Sequence, residues 1–226
     1  MIEEFKKYKV TYIFIVLNFT VYFISAFLSS DIIDMDIKVL LNMGALYGPY
    51  MVLHSEWWRL FTAMFLHSGM THLLMNMFSL YLMGRVLESY FERKTYIAIY
   101  LFSGLVAGLV SEFMHPVNVA IGASGAIFGV LGAIAGFFLA YRERIKEQSK
   151  AFMKDFGIII VINLVLGFTI PSIDMSAHVG GLVVGFVGGF IVSKNPKFIW
   201  LYGMLMTLII LGRIFYMHGH YVEAMF

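Results

Sequence analysis

The stretch IGASGAIFGVLGAIAGFFLAY at residues 121–141 and the stretch MSAHVGGLVVGFVGGFIVSK at residues 175–194 decide the fold of this chain. Each is an apolar run of about 20 residues, the length that a helix needs to cross the hydrocarbon core of a bilayer. Glycines recur in both runs, often four residues apart, and this spacing lets two membrane helices approach closely. The pattern therefore predicts two spanning helices that pack directly against each other.

The rest of the chain has the same apolar character. Of its 226 residues, 60% are hydrophobic and 13% are charged, and that charged fraction is about half the value typical of soluble domains. In lipid the backbone polar groups must be satisfied internally, which helices achieve. We therefore predict an all-α polytopic membrane protein with a single domain over residues 1–226. The predicted spans are 10–29, 69–87, 95–114, 123–141, 156–171, 176–193 and 198–217.

The distribution of lysine and arginine predicts the orientation of these spans. Of the 16 basic residues, 13 lie in the N-terminal segment or in every second connection, and Lys38, Arg59 and Arg213 are the exceptions. Because basic residues favour the cytoplasmic side, the N-terminus is predicted to be cytoplasmic and the C-terminus outside. The second, fourth and sixth spans then all run from outside to inside. The first apolar run is longer than a signal-peptide core, so it is interpreted as a retained helix.

The connection at residues 30–68 is the longest and is predicted to be external. It mixes acidic residues with an apolar stretch and the pair Trp57–Trp58. Tryptophan favours the headgroup level of a membrane. Short helices lying partly in the outer interface are one interpretation of this connection, and an ordinary extracellular connection is the other.

Two reactive side chains stand at the start of the fourth and sixth spans. Ser124 lies in IGASGAIFG and His178 lies in DMSAHVGG. Because both spans descend from the same side, the two residues lie at similar depth, and close contact of the helices brings them within reach of each other. A serine hydroxyl becomes a strong nucleophile when such a base takes its proton. A lone serine in a membrane helix usually forms a hydrogen bond within its own helix. A histidine inside the membrane is rarer and more often marks a functional site.

The second span carries a further polar pair. His72 and Asn76 are four residues apart and therefore share one helix face. Both side chains can donate hydrogen bonds, so with the backbone N–H groups around Ala123 and Ser124 they form a candidate oxyanion hole. A polar clamp between helices is the alternative. His67 does not share this face and is interpreted as a brace for the external connection.

Several other chemistries are excluded by the sequence. The chain has no cysteine, which rules out disulfides and a thiol nucleophile. It has no H-E-x-x-H pair, the pattern of zinc proteases, and Ala126 stands where G-x-S-x-G needs its last glycine. No acidic residue is placed to orient His178, so a Ser–His dyad is favoured over a triad. The net charge of +2 comes from loop residues and does not indicate nucleic-acid binding.

Taken together, these residues resemble the rhomboid protease family, of the bacterial type with a six-helix core and a seventh C-terminal helix. The resemblance spans about residues 42–190. The matching motifs, in chain order, are Trp58–Arg59, His67 with His72 and Asn76, Glu88 after Gly84, Gly122-Ala123-Ser124-Gly125, and Ala177-His178 followed by Gly181 and Gly185.

The resemblance implies a core at about residues 10–193, an extra helix at about 198–217, and a prokaryotic plasma-membrane location. It implies that Ser124 attacks, that His178 relays the proton, and that His72 and Asn76 stabilise the oxyanion. The expected substrates are single-span membrane proteins cut near the outer face, with lipid as the solvent and with neither metal nor cofactor. Substrate-binding or packing roles fall to Gly122, Ala123, Phe128 and Gly181, and structural roles to Trp58, Arg59, His67, Glu88 and Gly185.

One position departs from the family pattern. Phe128 stands where family members often have tyrosine, so stacking on His178 is preserved but a phenolic hydrogen bond is not. The alternative function is a non-catalytic rhomboid-like protein that binds client transmembrane helices. Such relatives typically lack the serine or the histidine, and this chain keeps both. A small transporter or channel is a weaker alternative, because neither an inverted repeat nor an ion-ligand cluster is present in the sequence.

Overall fold

The structure is a computed structural model, and it describes residues 2–144, 150, 154, 157, 158 and 174–225. The described residues are mainly helical and contain no strand. The helices are α1 (Ile2–Lys7), α2 (Lys9–Ser29), α3 (Ile37–Asn42), α4 (Gly48–Leu53), α5 (Arg59–Thr62), α6 (Met70–Tyr90), α7 (Arg93–Met114), α8 (Ser124–Tyr141), α9 (Met175–Lys194) and α10 (Ile199–Met225), with short 3-10 turns at Ala63–Phe65 and Pro196–Phe198.

The long helices coincide with the predicted spans. Within the described ranges, five segments are long and apolar enough to cross a bilayer: Lys9–Ser29, Arg93–Met114, Ser124–Tyr141, Met175–Lys194 and Pro196–Met217. Helix α6 has 21 residues, which gives it a length of about 31 Å, although its polar residues lower its hydropathy. The all-α polytopic fold is confirmed. The predicted span at 156–171 lies outside the described residues, apart from Gly157 and Ile158.

Helices α6, α8 and α9 run in the same direction, as the charge pattern predicted. At one end, Ser124 of α8 lies beside His178 of α9, and His72 of α6 lies beside Gly122 just before α8. We call this end the Ser124 end. At the opposite end, the hydroxyl of Tyr141 donates to the carbonyl of Ser193, 2.9 Å away. The basic residues at the ends of α6, α8 and α9 therefore lie far from Ser124.

The contact between α8 and α9 is made through glycine, as the spacing predicted. A Cβ atom added to Gly181, Gly185 or Gly189 would overlap the backbone carbonyl of Gly125, Gly129 or Ala133, respectively. From the other side, a Cβ on Gly132 would overlap the carbonyl of Leu182. The two backbones therefore touch along several turns, which only residues without a side chain permit.

Glu88 joins the far end of α6 to the start of α2. Its carboxylate accepts hydrogen bonds from the backbone N–H groups of Val10 and Thr11, at 2.9 and 3.0 Å, and from the Thr11 hydroxyl at 2.9 Å. The first N–H groups of a helix have no partner within the helix, and a negative charge there is favourable. Glu88 therefore fixes where α2 begins, which gives its predicted structural role a physical basis.

The 30–68 connection contains short helices, as one of the two interpretations predicted, and Arg59 holds it together. The buried Arg59 guanidinium donates to the carbonyls of Leu41 and Ala45, at 2.7 and 2.9 Å. It also pairs with Glu56 at 2.6 Å and lies over the ring of Trp58, 4.8 Å from the ring centroid. Two carbonyls, a carboxylate and an aromatic ring thus compensate the positive charge of Arg59, and Arg59 links α5 to the end of α3.

Candidate active site

Ser124 and His178 are in direct contact. Ser124 is the first residue of α8, and His178 lies in the first turn of α9. The Ser124 Oγ and the His178 Nε2 are 2.8 Å apart, which is within the normal range for a hydrogen bond. The contact joins residues 54 positions apart, and the glycine-mediated approach of α8 and α9 makes it possible. This arrangement lets the imidazole accept the serine proton.

Phe128 fixes the plane of the His178 ring. The two rings are stacked, with centroids 4.3 Å apart and an angle of 11° between the planes. Phe128 lies one turn after Ser124 on α8, so the same helix supplies the hydroxyl and the surface that orients the imidazole. The stacking expected for this position is present without a phenolic oxygen.

Asp174 is engaged away from the imidazole. Its carboxylate accepts from the Ala177 N–H at 3.1 Å and from the Ser176 hydroxyl at 2.5 Å, which caps α9. Burial raises the pKa of this carboxyl, but hydrogen bonds from Ser111, Ser176 and Ala177 outweigh burial and hold the pKa below its usual value. Among the described residues, the buried His178 Nδ1 has no hydrogen-bond partner. The geometry therefore has the form of a dyad.

His72 and Asn76 both face the backbone of Gly122. A Cβ atom built on Gly122 would lie 2.9 Å from His72 Nε2 and 3.7 Å from Asn76 Nδ2. Within the described part of the chain, the buried Asn76 Nδ2 has no hydrogen-bond partner. The His72 Nδ1 and the Ser68 Oγ are 3.2 Å apart. When Ser68 donates to Nδ1, Nε2 carries the proton and faces Gly122.

The backbone before Ser124 is held in a fixed shape. Leu46 and Ala120 exchange two hydrogen bonds, of 3.0 and 2.9 Å, and the Gly122 N–H donates to the carbonyl of Ala63 at 2.9 Å. Gly122 has a φ of +124°, a region that side chains disfavour. At the start of α8, the first backbone N–H groups have no acceptor within the helix. His72 Nε2 and Asn76 Nδ2 lie against Gly122, two residues before Ser124, where these N–H groups begin.

The other predicted residues surround this site. Ala123, directly before Ser124, is fully buried. Gly181 packs on the carbonyl of Gly125, the residue directly after Ser124. His67 is buried against His72, with ring centroids 5.0 Å apart. Burial, with a further contribution from the nearby His72, lowers the pKa of His67 to about 3, so it is uncharged at neutral pH. It thus lies beside the candidate site and also in the connection that it was expected to brace.

Sequence reasoning missed three contributors. Ser68 contacts His72 from four positions earlier, and that spacing was a usable signal. The carbonyls of Leu46 and Ala63 accept from the N–H groups of Ala120 and Gly122 and so hold the backbone before Ser124, but a backbone carbonyl has no signature in a sequence. The network therefore includes groups that only their positions in space reveal.

The fold and this site define a class of protein: a helical membrane protein in which a serine and a histidine lie within hydrogen-bond distance at the ends of two spanning helices. A family model described as the Rhomboid domain matches residues 54–195. The chain belongs to the rhomboid family.

Individual relatives agree with this assignment. The chain is 39% identical over 159 residues to RHOMBOID-like protein 6, mitochondrial, of Arabidopsis thaliana, covering 70% of this chain and 51% of the relative. It is 36% identical over 180 residues to rhomboid protease GluP of Bacillus subtilis (strain 168), covering 78% of this chain and 33% of that protein. The matches thus span about half or less of the length of these relatives.

Proposed function

We propose that this protein is an intramembrane serine endopeptidase that uses Ser124 and His178 as a catalytic dyad. Membership of the rhomboid family supports intramembrane proteolysis in general terms. The observation that carries the assignment to this chain is the 2.8 Å separation between Ser124 Oγ and His178 Nε2. A serine and a histidine in this relation form the unit that activates a hydroxyl for acyl transfer.

In the proposed reaction, the Ser124 oxygen attacks the carbonyl carbon of the scissile peptide bond while His178 Nε2 takes the hydroxyl proton. The resulting tetrahedral intermediate breaks its C–N bond, and His178 gives the proton to the leaving amine. The carbonyl carbon is then an ester on Ser124. A water molecule attacks this ester with His178 as the base, and the proton returns to the Ser124 oxygen as the carboxylic acid leaves.

The negative oxygen of each intermediate is assigned to the donors around Gly122. Asn76 Nδ2 is buried and faces this backbone without a partner among the described residues. His72 Nε2 and the backbone N–H groups at the start of α8 complete the set. Donors held in place before the reaction stabilise developing charge without having to reorganise. The protein's fixed backbone between Ala120 and Ser124 provides this preorganisation.

The substrates proposed are single-span membrane proteins, cut near the outer face of the membrane. This orientation follows from the basic residues at the end opposite to Ser124, with the N-terminus cytoplasmic in a prokaryotic plasma membrane. Residues 1–226 are proposed to form one domain, with a core at about 10–193 and an extra helix at about 198–217. Gly122 and Ala123 leave a shallow site, which favours small side chains at the scissile position.

The substrate helix is proposed to unwind before it is cut. A carbonyl inside a regular helix is engaged four residues on, so Ser124 cannot approach its carbon. Glycine lowers the cost of opening by about 1 kcal/mol and proline by about 3 kcal/mol, relative to alanine. Replacing such residues near the outer end of a cleaved substrate by leucine should slow cleavage. Unchanged rates across that series would contradict the unwinding requirement.

The direct test uses the purified protein in liposomes with a model single-span substrate. Ser124→Ala and His178→Ala should each abolish cleavage, measured by the appearance of fragments, while circular dichroism and thermal unfolding stay close to those of the parent protein. Ser193→Ala is the matched control, because this hydroxyl donates to the Gly189 carbonyl at the opposite end of α9. Binding of the substrate by the parent protein without any cleavage would favour the non-catalytic client-binding alternative.

A further inference from the structure

The last helix, α10, makes few contacts with the other residues that the structure describes. In the segment Pro196–Met217, 11% of the most apolar 18-residue stretch is buried. Large side chains such as Trp200 and Phe215 are exposed. At the end far from Ser124, Tyr202 is fully buried against Gly188 of α9 and Phe102 of α7. A helix held at so few points depends strongly on each of them.

At the Ser124 end, α10 is held by an ion pair. Arg213 donates to the carboxylate of Glu112 on α7, with the two atoms 3.3 Å apart. The Glu112 side chain is 2% exposed and the Arg213 side chain 23%. The guanidinium also lies over the rings of Phe113 and Tyr216, at 4.8 and 5.4 Å. A charge within an apolar helix is costly unless it is paired, so Glu112 and Arg213 require each other.

One turn further along, Met217 enters a small apolar cluster that includes the 30–68 connection. We call the buried residues Leu46, Met51, Val52, Leu60, Ala63, Leu109 and Met217 the connection cluster. Ile210 and Ile214 of α10 pack on its edge. The ion pair lies one turn before Met217 on α10, next to the point where this helix contacts the cluster.

Two members of the connection cluster are also the residues that hold the backbone before Ser124. Leu46 exchanges two hydrogen bonds with Ala120, and the Ala63 carbonyl accepts from the Gly122 N–H. A continuous set of contacts therefore runs from Glu112 and Arg213, through the connection cluster, to the segment that presents the oxyanion donors.

We propose that α10 is a positioning element for the candidate active site, and that Arg213, through its pair with Glu112, is the positioning residue. It keeps the connection cluster packed so that Leu46 and Ala63 hold the backbone of residues 120–122. Arg213 touches neither the substrate nor the reacting atoms. The proposal rests on the proposed function only for its effect on rate, because the effect on the backbone exists whether or not the protein cleaves anything.

Hydrogen–deuterium exchange tests the backbone effect directly. In Arg213→Met and in Glu112→Gln, the amides of Leu46, Ala120 and Gly122 should exchange about ten-fold faster or more, because these hydrogen bonds open more often once the cluster loosens. Leu211→Met is the matched control, since it introduces a methionine at an exposed position of the same helix. Peptides covering residues 137–141, at the opposite end of α8, should be unaffected in every variant.

Arg213→Lys separates the charge from the side chain's shape. It keeps a cation beside Glu112 and should retain most of the protection, whereas Arg213→Met loses it. If Arg213→Met does not fold, Met217→Ala loosens the same cluster without leaving a buried charge unpaired, and it should expose the same three amides. Unchanged exchange in these variants, or a uniform rise that includes residues 137–141, would overturn the proposal.

A kinetic measurement then links the backbone to the reaction. In Arg213→Met, kcat should fall about ten-fold with KM nearly constant, because misplaced oxyanion donors weaken the transition state rather than substrate binding. A raised KM with unchanged kcat would make α10 a substrate-docking helix and contradict the positioning role. If the parent protein cleaves no substrate, the proposed protease function fails, while the exchange experiment still decides whether α10 positions the site.

Discussion

The α8–α9 interface and the attachment of α10 hold helices together by different kinds of contact. Between α8 and α9, glycines bring the two backbones into contact over several turns, so a Cβ at Gly185 would overlap the Gly129 carbonyl. On α10, a Cβ at Gly212 would have no atom of another described residue within 4 Å. Contact is spread along the first interface and concentrated at a few side chains in the second. The first gives the precision that a 2.8 Å contact between Ser124 and His178 requires.

The largest expected effect comes from filling the α8–α9 interface. In Gly185→Ala, the new methyl group would displace α9 from α8, since the atom it meets is a backbone carbonyl with no freedom to move aside. Overpacking of this kind costs about 1–3 kcal/mol or more, and the same displacement separates His178 from Ser124. We expect a lower thermal unfolding midpoint together with loss of cleavage. If Gly185→Ala kept the stability and activity of the parent protein, α8 and α9 would be able to accommodate a methyl group, which contradicts this prediction.

Asn76→Ala should separate the chemistry of this region from its packing. The side-chain Nδ2 has no hydrogen-bond partner among the described residues, so its removal breaks no hydrogen bond that this nitrogen donates within them. Loss of one oxyanion donor lowers kcat about 10²–10³-fold. Steady-state kinetics with a single-span substrate, beside thermal unfolding, checks both halves of the prediction. A rise in KM alone would make Asn76 a substrate-binding group.

Phe128 gives a smaller effect at the same interface. Its ring stacks on His178 at 4.3 Å, and an aromatic pair of this kind contributes about 0.5–1.5 kcal/mol. If that contribution orients the imidazole, Phe128→Ala should lower kcat about 2- to 10-fold. Phe128→Tyr keeps the stacked ring and serves as the control, with a rate close to the parent value. Equal losses in both variants would mean that stacking is not what the position provides.

The smallest effect, with the opposite sign, is expected at α10. In Gly212→Ala, the methyl group meets none of the described residues within 4 Å, and alanine favours a helix over glycine by about 1 kcal/mol in helical hosts. We expect unchanged activity and an unfolding midpoint that is equal or slightly higher. The same chemical change would thus destabilise one interface and spare the other. A marked loss of stability would show that α10 has a partner on this face.

Motifs and spacing led to the central pair of the site, and geometry supplied the rest. Ser124 and His178 could be paired because their helices share glycine spacing and depth. The network behind them could not, because Leu46, Ala63 and Ala120 act through backbone atoms, which every residue has. Glu88 was singled out by resemblance, yet its role at the start of α2 depends on a contact across 77 and 78 positions.

The sequence by itself predicted each of the long helices that the structure describes, the shared direction of α6, α8 and α9, and the contact between α8 and α9. Length, hydropathy and loop charge carry that information because the bilayer acts on every span in the same way. The tertiary structure alone decided which faces of the other helices meet, such as Arg213 of α10 against Glu112 of α7. Lipid is as apolar as a packed interior, so a span that is apolar on all sides carries no hydrophobic stripe to mark the side that meets protein.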